Sequence, residues 1–71
     1  MSTDESHRHV RLARIRAYAI DVFGHRDKAA NWIQRPNRLL NNTAPIDALD
    51  TDIGTESVET ILGHIEYGVF S

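Results

Sequence analysis

Residues 5–23, ESHRHVRLARIRAYAIDVF, contain neither proline nor glycine and are rich in Arg, Ala, Leu and Ile. That composition favours a helix of five turns or so. Leu12, Ile15, Ala19, Val22 and Phe23 then fall on one stripe, which the helical period assigns to the core. Val10, Ala13, Ala17 and Ile20 gather on the opposite side. A helix on the surface of a monomer normally carries polar residues there. The second stripe is therefore either an Ala-rich neutral surface or, as we expect, a helix–helix interface.

Punctuation downstream of this helix predicts three more. Gly24 suits the position just past a helix end. A short helix follows over about Arg26–Gln34, with Ala29, Ala30, Trp32 and Ile33 as its apolar residues, Trp32 being expected in the core. Pro36 stops it, because the residue before a proline avoids the helical region. Residues 37–42, NRLLNN, read as a helical turn and a loop. Pro45 fits the first position of a third helix reaching about Leu49, where its missing N–H costs nothing. Thr51 is a candidate cap for the last helix, with Asp52 favourably placed against the helix dipole. Along that helix Val58, Ile61, Leu62 and Ile65 recur at i, i+3, i+4 and i+7, and Gly68 ends it. Nothing alternates with period two over a strand's length. The expected fold is all-α, a small bundle of about four helices with a short aromatic C-terminal tail, forming a single domain over residues 1–71.

Size and composition restrict function. A core built from 71 residues supplies only about 3–5 kcal/mol without a staple. There is no cysteine, hence no disulfide and no zinc–thiolate site. No apolar run approaches a membrane span or a signal-peptide core, so the expectation is a cytoplasmic protein without a membrane partner. Oligomerisation or a partner is the remaining staple, which favours an interaction protein over an enzyme.

Charge is segregated along the chain. All eight basic residues lie between Arg8 and Arg38, where four acidic residues in the same half leave a net +4. From Leu39 onward six acidic residues stand alone, for a net −6. Such a half either solvates a helix face or steers a basic partner. It ends in Tyr67-Gly68-Val69-Phe70-Ser71, two aromatics and a valine around a glycine. Aromatic side chains bury large areas at low rotamer cost and dominate binding energetics. Phe70 therefore either closes the domain's own core or belongs in a pocket elsewhere.

Catalytic and metal chemistry find little support. His7 and His9 point to different sides of a helix, and His25 and His64 have no carboxylate at a recognisable ligand spacing. No metal site and no cofactor are expected. Asp47, Asp50 and Glu56 offer acid–base groups, but four short helices leave little room for a water-excluding cleft. Ser57 and Ser71 lack a nucleophile motif, and there is no glycine-rich phosphate loop. Arg8, Arg11, Arg14 and Arg16 are dense enough to touch phosphates. They spread over more than half the helical circumference and flank the core stripe, however, where Arg stems commonly cover apolar neighbours. DNA binding by this chain alone is not the leading expectation.

The residues from Ala19 onward, about three quarters of the chain, resemble the toxin-binding domain of Xre/MbcA/ParS-type antitoxins. The resemblance lies in Val22-Phe23-Gly24, Lys28-Ala29, Trp32-Ile33, Pro36-Asn37 and Leu39-Leu40. It continues through Pro45-Ile46-Asp47-Ala48-Leu49, Gly54, Val58, Leu62 and Ile65-Glu66-Tyr67-Gly68-Val69-Phe70. Each motif is weak alone; their order and spacing together are specific. Residues 1–18 lie outside the clear match.

The resemblance implies an antitoxin of a type II toxin–antitoxin system whose partner is a RES-domain toxin, one that consumes NAD or uses it for ADP-ribosylation. In that family the antitoxin's C-terminal end enters or covers the toxin's NAD-binding cleft. The implied contact residues are Glu66, Tyr67, Gly68, Val69, Phe70 and Ser71. Tyr67 and Phe70 would fill apolar subsites, while the Ser71 carboxylate and Glu66 would pair with the cations that hold the NAD phosphates. Val10, Ala13, Ala17 and Ile20 remain a candidate second interface, for a homodimer or a larger toxin–antitoxin assembly.

The chain departs from its relatives in places. A single long helix is expected ahead of the match where many members of that family carry a helix-turn-helix, His25 stands where Asp is usual after Phe-Gly, Asn41-Asn42 replaces a Gly-rich turn, and Ala44 replaces the usual Ser or Thr cap before Pro45. Asn tolerates the left-handed region well, so the turn should survive. Ala44 in place of a capping Ser or Thr costs about 0.5–2 kcal/mol, which Thr43 would offset only in part. The main alternative is a small DNA-binding or transcriptional accessory protein acting through the Arg-rich first helix. A third is an oligomerisation module using the second apolar stripe.

Overall fold

The computed structural model describes residues 3–68 and is all-α, with no β-strand among them. Helix α1 is Thr3–Phe23, α2 is Arg26–Gln34, α3 is Pro45–Ala48 and α4 is Asp52–Glu66; a 3-10 turn, Arg38–Leu40, stands between α2 and α3. The expected boundaries hold to within two residues.

Local chemistry explains each junction. Gly24 takes φ +68 and donates its N–H to the Ile20 carbonyl at 2.7 Å, closing α1 with a left-handed residue. Arg35, ahead of Pro36, is extended at φ −92 and ψ 144, as proline demands of its predecessor. The Asn37 side chain accepts from the Leu39 N–H at 2.9 Å and starts the 3-10 turn. Asn41 and Asn42 then both adopt positive φ, 56 and 65, and reverse the chain so that the Asn37 N–H reaches the Thr43 carbonyl at 3.0 Å. Ala44 supplies no side-chain cap to α3, and neither does His25 to α2. Thr51 does cap α4: its Oγ1 accepts from the Gly54 N–H at 2.9 Å.

The core is one cluster: Ile15, Ala19, Ala29, Ile33, Leu49, Val58 and Leu62. It unites the expected stripes of α1 and α4 with the inner face of α2 and the end of α3. Ile61 is buried as well, whereas Leu12, Val22, Phe23 and Ile65 are half-buried. Burying each of Ile15, Val58 and Leu62 contributes about 1.5–3 kcal/mol, so in a domain of this size no one of them is dispensable.

Helices α1 and α4 run parallel. Going up α1, Arg8 meets Asp50, Arg11 meets Asp52 at 2.6 Å, Arg14 meets Glu59 at 2.8 Å, and the Tyr18 hydroxyl donates to Glu66 Oε1 at 3.3 Å. Parallel neighbours need a long return path, and α2, the 3-10 turn and α3 provide it. The return ends in a close backbone approach at Gly54. A Cβ on Gly54 would lie 2.0 Å from the Ala48 carbonyl oxygen, so the α3–α4 corner closes only over glycine.

Gly54→Ala should therefore force the corner open at a cost of about 1–3 kcal/mol or more. At roughly 4–8 °C per kcal/mol for a domain of this size, thermal denaturation followed by circular dichroism should show a drop in Tm of several degrees at least. A Tm within a degree of the wild type would contradict this account of the corner.

Candidate partner-binding site

One end of the molecule gathers the exposed chemistry. Helix α4 finishes with the Tyr67 N–H bonded to the Gly63 carbonyl at 3.0 Å and the Gly68 N–H bonded to the Ile65 carbonyl at 3.2 Å. Gly68 takes φ +67, a conformation glycine adopts without strain. Tyr67 is left 79% exposed, with Ile53 at 77% the next most exposed large hydrophobic residue among those described. Glu66 is exposed beside it. Of the six residues implied in partner contact, Glu66, Tyr67 and Gly68 are thus placed together on the surface. Val69, Phe70 and Ser71 lie outside the described residues, so the two destinations for Phe70 stay open.

Tyr18 ties this end to α1. Its hydroxyl crosses to α4 over Gly63, where an added Cβ would come within 3.3 Å of it. The sequence period placed Gly63 and Glu66 away from the core stripe; in the fold they form the flank that receives Tyr18. The phenol is raised above its ordinary value of 10.0, first by partial burial and then by the charge of Glu66 and the hydrogen bond to it. The Tyr18 hydroxyl thus gives the exposed Glu66 carboxylate one long hydrogen bond.

Next to this end lies an open groove of about 580 Å³ between the end of α1 and the 3-10 turn. Phe23 and Trp32 form its aromatic wall, their ring centroids 5.7 Å apart and tilted by 47°. Lys28, Arg35 and Arg38 line it with Asn31, Pro36 and Asn37. Trp32 packs against the core, as expected, but only half-buried. Its remaining face belongs to the groove.

The second apolar stripe divides. Val10, 58% exposed, stays on the surface with Ala13 and Ala17, whereas Ile20 is half-buried and packs against the core cluster. The three arginine–carboxylate pairs were not foreseen. Their signal was present in the sequence: arginines three apart on the flank of a core stripe, and acids confined to the other half of the chain. Each pair is partly or largely exposed and adds little stability by itself. Together they engage Arg8, Arg11 and Arg14, three of the four arginines on which phosphate binding by α1 would depend; Arg16 is exposed outside these pairs. They also engage Asp50, Asp52 and Glu59, so the acidic half presents fewer open carboxylates than its net charge implies. Among the described residues no three His, Asp or Glu side chains gather as a metal site, and no helix is long and apolar enough to cross a membrane.

Residues 19–68 match the model of the antitoxin Xre/MbcA/ParS C-terminal toxin-binding domain. The chain belongs to this family. It is 42% identical over 71 residues to "Antitoxin Xre" of Photorhabdus laumondii, covering 99% of the chain and 48% of that protein. It is 36% identical over 69 residues to "Antitoxin Xre" of Yersinia enterocolitica and 38% identical over 68 residues to that of Pseudomonas putida, covering 96% of the chain each time and 47% and 43% of those proteins. The chain thus spans about half the length of the curated relatives it matches. The matched segment begins inside α1, at Ala19, and includes the whole basic groove, Glu66, Tyr67 and Gly68. Val10, Ala13 and Ala17 precede it.

The raised Tyr18 phenol sets an alkaline limit. The folded state holds the neutral phenol better than the unfolded state does, so its contribution is complete below pH 10 and disappears as pH climbs through the raised folded value. Tm measured from pH 8 to 11.5 should fall more steeply above pH 10 for the wild type than for Tyr18→Phe. Parallel curves would show that Tyr18 and Glu66 are not coupled in solution.

Proposed function

We propose that the chain is an antitoxin that neutralises a RES-domain toxin by placing the end of α4 and the residues after it over the toxin's NAD-binding cleft. The observation that carries this reading is Tyr67: a large aromatic side chain left 79% exposed at the end of a capped helix. A domain with so little core to spare does not gain from an aromatic ring in water. The exposed ring acquires a purpose if a partner buries it.

Tyr67 and Phe70 fill apolar subsites of the cleft, and Glu66 pairs with cations that would otherwise hold the NAD pyrophosphate. A charged contact of this kind is strongest when its carboxylate is already oriented, and the one long hydrogen bond from the Tyr18 hydroxyl favours that for Glu66. Inhibition is by occupancy, so the antitoxin needs no catalytic group and no cofactor of its own. Open carboxylates on the acidic half, Asp47 and Glu56 among them, add to the encounter rate with a basic cleft. The exposed Val10, Ala13 and Ala17 face is assigned to helix–helix contacts within the assembled complex. Engagement of Arg8, Arg11 and Arg14 by carboxylates leaves Arg16 alone of the four arginines of α1 outside these pairs, which weighs against a DNA-binding accessory protein.

NAD consumption by the cognate toxin, with this chain added intact or ending at Gly68, tests the mechanism. Full inhibition by the intact chain and at least a tenfold weaker effect of the shortened one is the expected result, with both chains equally helical by circular dichroism. Equal inhibition by the two would move the blocking contact from the tail to the helix faces. A toxin that turns over no NAD would remove the RES assignment.

A further inference from the structure

The groove between α1 and the 3-10 turn is used by nothing so far described. Lys28, Arg35 and Arg38 are exposed there without an ion-pair partner among the described residues, although the chain as a whole carries ten acidic residues and a net charge of −2. No acidic residue lines the groove. Three like charges around one cavity repel each other, and no ion pair among the described residues offsets them. Contrast α1, where each of Arg8, Arg11 and Arg14 meets a carboxylate. The cations of the groove form no ion pair among the described residues and stand beside an aromatic wall.

Position adds to composition. Helices α1 and α4 are parallel, with Tyr18 alongside Glu66. Phe23 lies five residues further up α1, about 7.5 Å in the direction in which α4 points. The groove and Tyr67 therefore share one end of the molecule. Both fall inside the segment matched by the toxin-binding domain.

We propose that the groove is a second toxin contact, and that it receives an acidic segment of the toxin bearing an apolar or aromatic side chain. The segment's carboxylates pair with Lys28, Arg35 and Arg38, and its apolar side chain rests on Trp32 and Phe23. The contact itself rests on the toxin-binding reading above, and its orienting role rests also on the cationic cleft proposed there. Two contacts of opposite sign at one end of a small domain fix its orientation. A rotated complex would set the cationic groove on the cationic cleft and the acidic helix end on the acidic segment, and like charges juxtaposed in an interface are strongly disfavoured. The groove thus selects the pose in which the helix end meets the cleft.

The test measures binding of the whole chain to its cognate toxin in low and high salt, with NAD consumption followed in parallel. The variants are Lys28→Glu/Arg35→Glu/Arg38→Glu, the neutral Lys28→Gln/Arg35→Gln/Arg38→Gln, and Arg16→Glu as an exposed cation outside the groove. All the altered side chains are exposed, and circular dichroism checks that each variant folds. The expected result is a Kd raised at least tenfold by charge reversal and several-fold by neutralisation, but less than twofold by Arg16→Glu. The difference from wild type should shrink at high salt. Kd values within twofold of the wild type for both groove variants would overturn the proposal. So would equal losses for Arg16→Glu and the groove variants, since net charge rather than the groove would then be at work. Binding of a mixed-sequence DNA duplex that the groove variants abolish, with toxin affinity unchanged, would overturn it in favour of a polyanion. Weakened toxin binding by the groove variants, with a toxin that consumes no NAD, would support the groove while removing the NAD-cleft mechanism.

Discussion

The parallel seam between α1 and α4 is the constraint on which the rest of the fold depends. Apolar stripes bring Ile15 and Ala19 against Val58 and Leu62, and burial of that area drives the contact. Hydrophobic contact alone leaves the register loose, because one turn of sliding exchanges one aliphatic residue for another. The rungs from Arg8–Asp50 to Tyr18–Glu66 remove that freedom. Each rung is worth little in isolation, yet a slip of one turn would separate all of them at once.

Parallel packing has a topological consequence. The chain must travel back from the end of α1 to the start of α4, and it does so through α2, the 3-10 turn and α3. Two features of that return are sterically demanding: the paired left-handed asparagines at 41 and 42, and the approach of Gly54 to the Ala48 carbonyl. The return also builds the groove, since α2 and the 3-10 turn have to bend around Trp32 and Phe23 to get home. The same turn residues that complete the core therefore assemble a cationic, aromatic surface next to the end of α4.

Function follows from an asymmetry between the two ends. Where α1 begins and α4 starts, opposite charges meet and cancel. Where the helices finish, Tyr67 is exposed, Glu66 accepts from Tyr18, and three cations line the groove without an ion-pair partner among the described residues. In the proposed reading, a domain that places its arginine–carboxylate pairs toward one end and its exposed tyrosine and groove cations at the other is completed by a partner there.

Much of this was legible in the chain. Helix limits followed from Gly24, Pro36, Pro45, Thr51 and Gly68, because glycine, proline and capping residues act through their own backbone and immediate neighbours. The core stripes followed from the helical period for the same local reason, as did the left-handed turn at Asn41-Asn42, and the order of motifs from Ala19 to Phe70 marked the family. What the sequence could not decide were relations between residues some 30 to 50 positions apart. That Arg8, Arg11 and Arg14 face carboxylates rather than a partner depends on α4 lying parallel to α1. The same packing turns Gly63 and Glu66 toward Tyr18, and splits Ile20 from Val10, Ala13 and Ala17. The periods of α1 and α4 locate apolar faces but not the direction or offset in which two helices meet. The groove is a product of that meeting as well: Lys28, Arg35 and Arg38 are merely three cations in the sequence, and only the path home around Trp32 makes them one site.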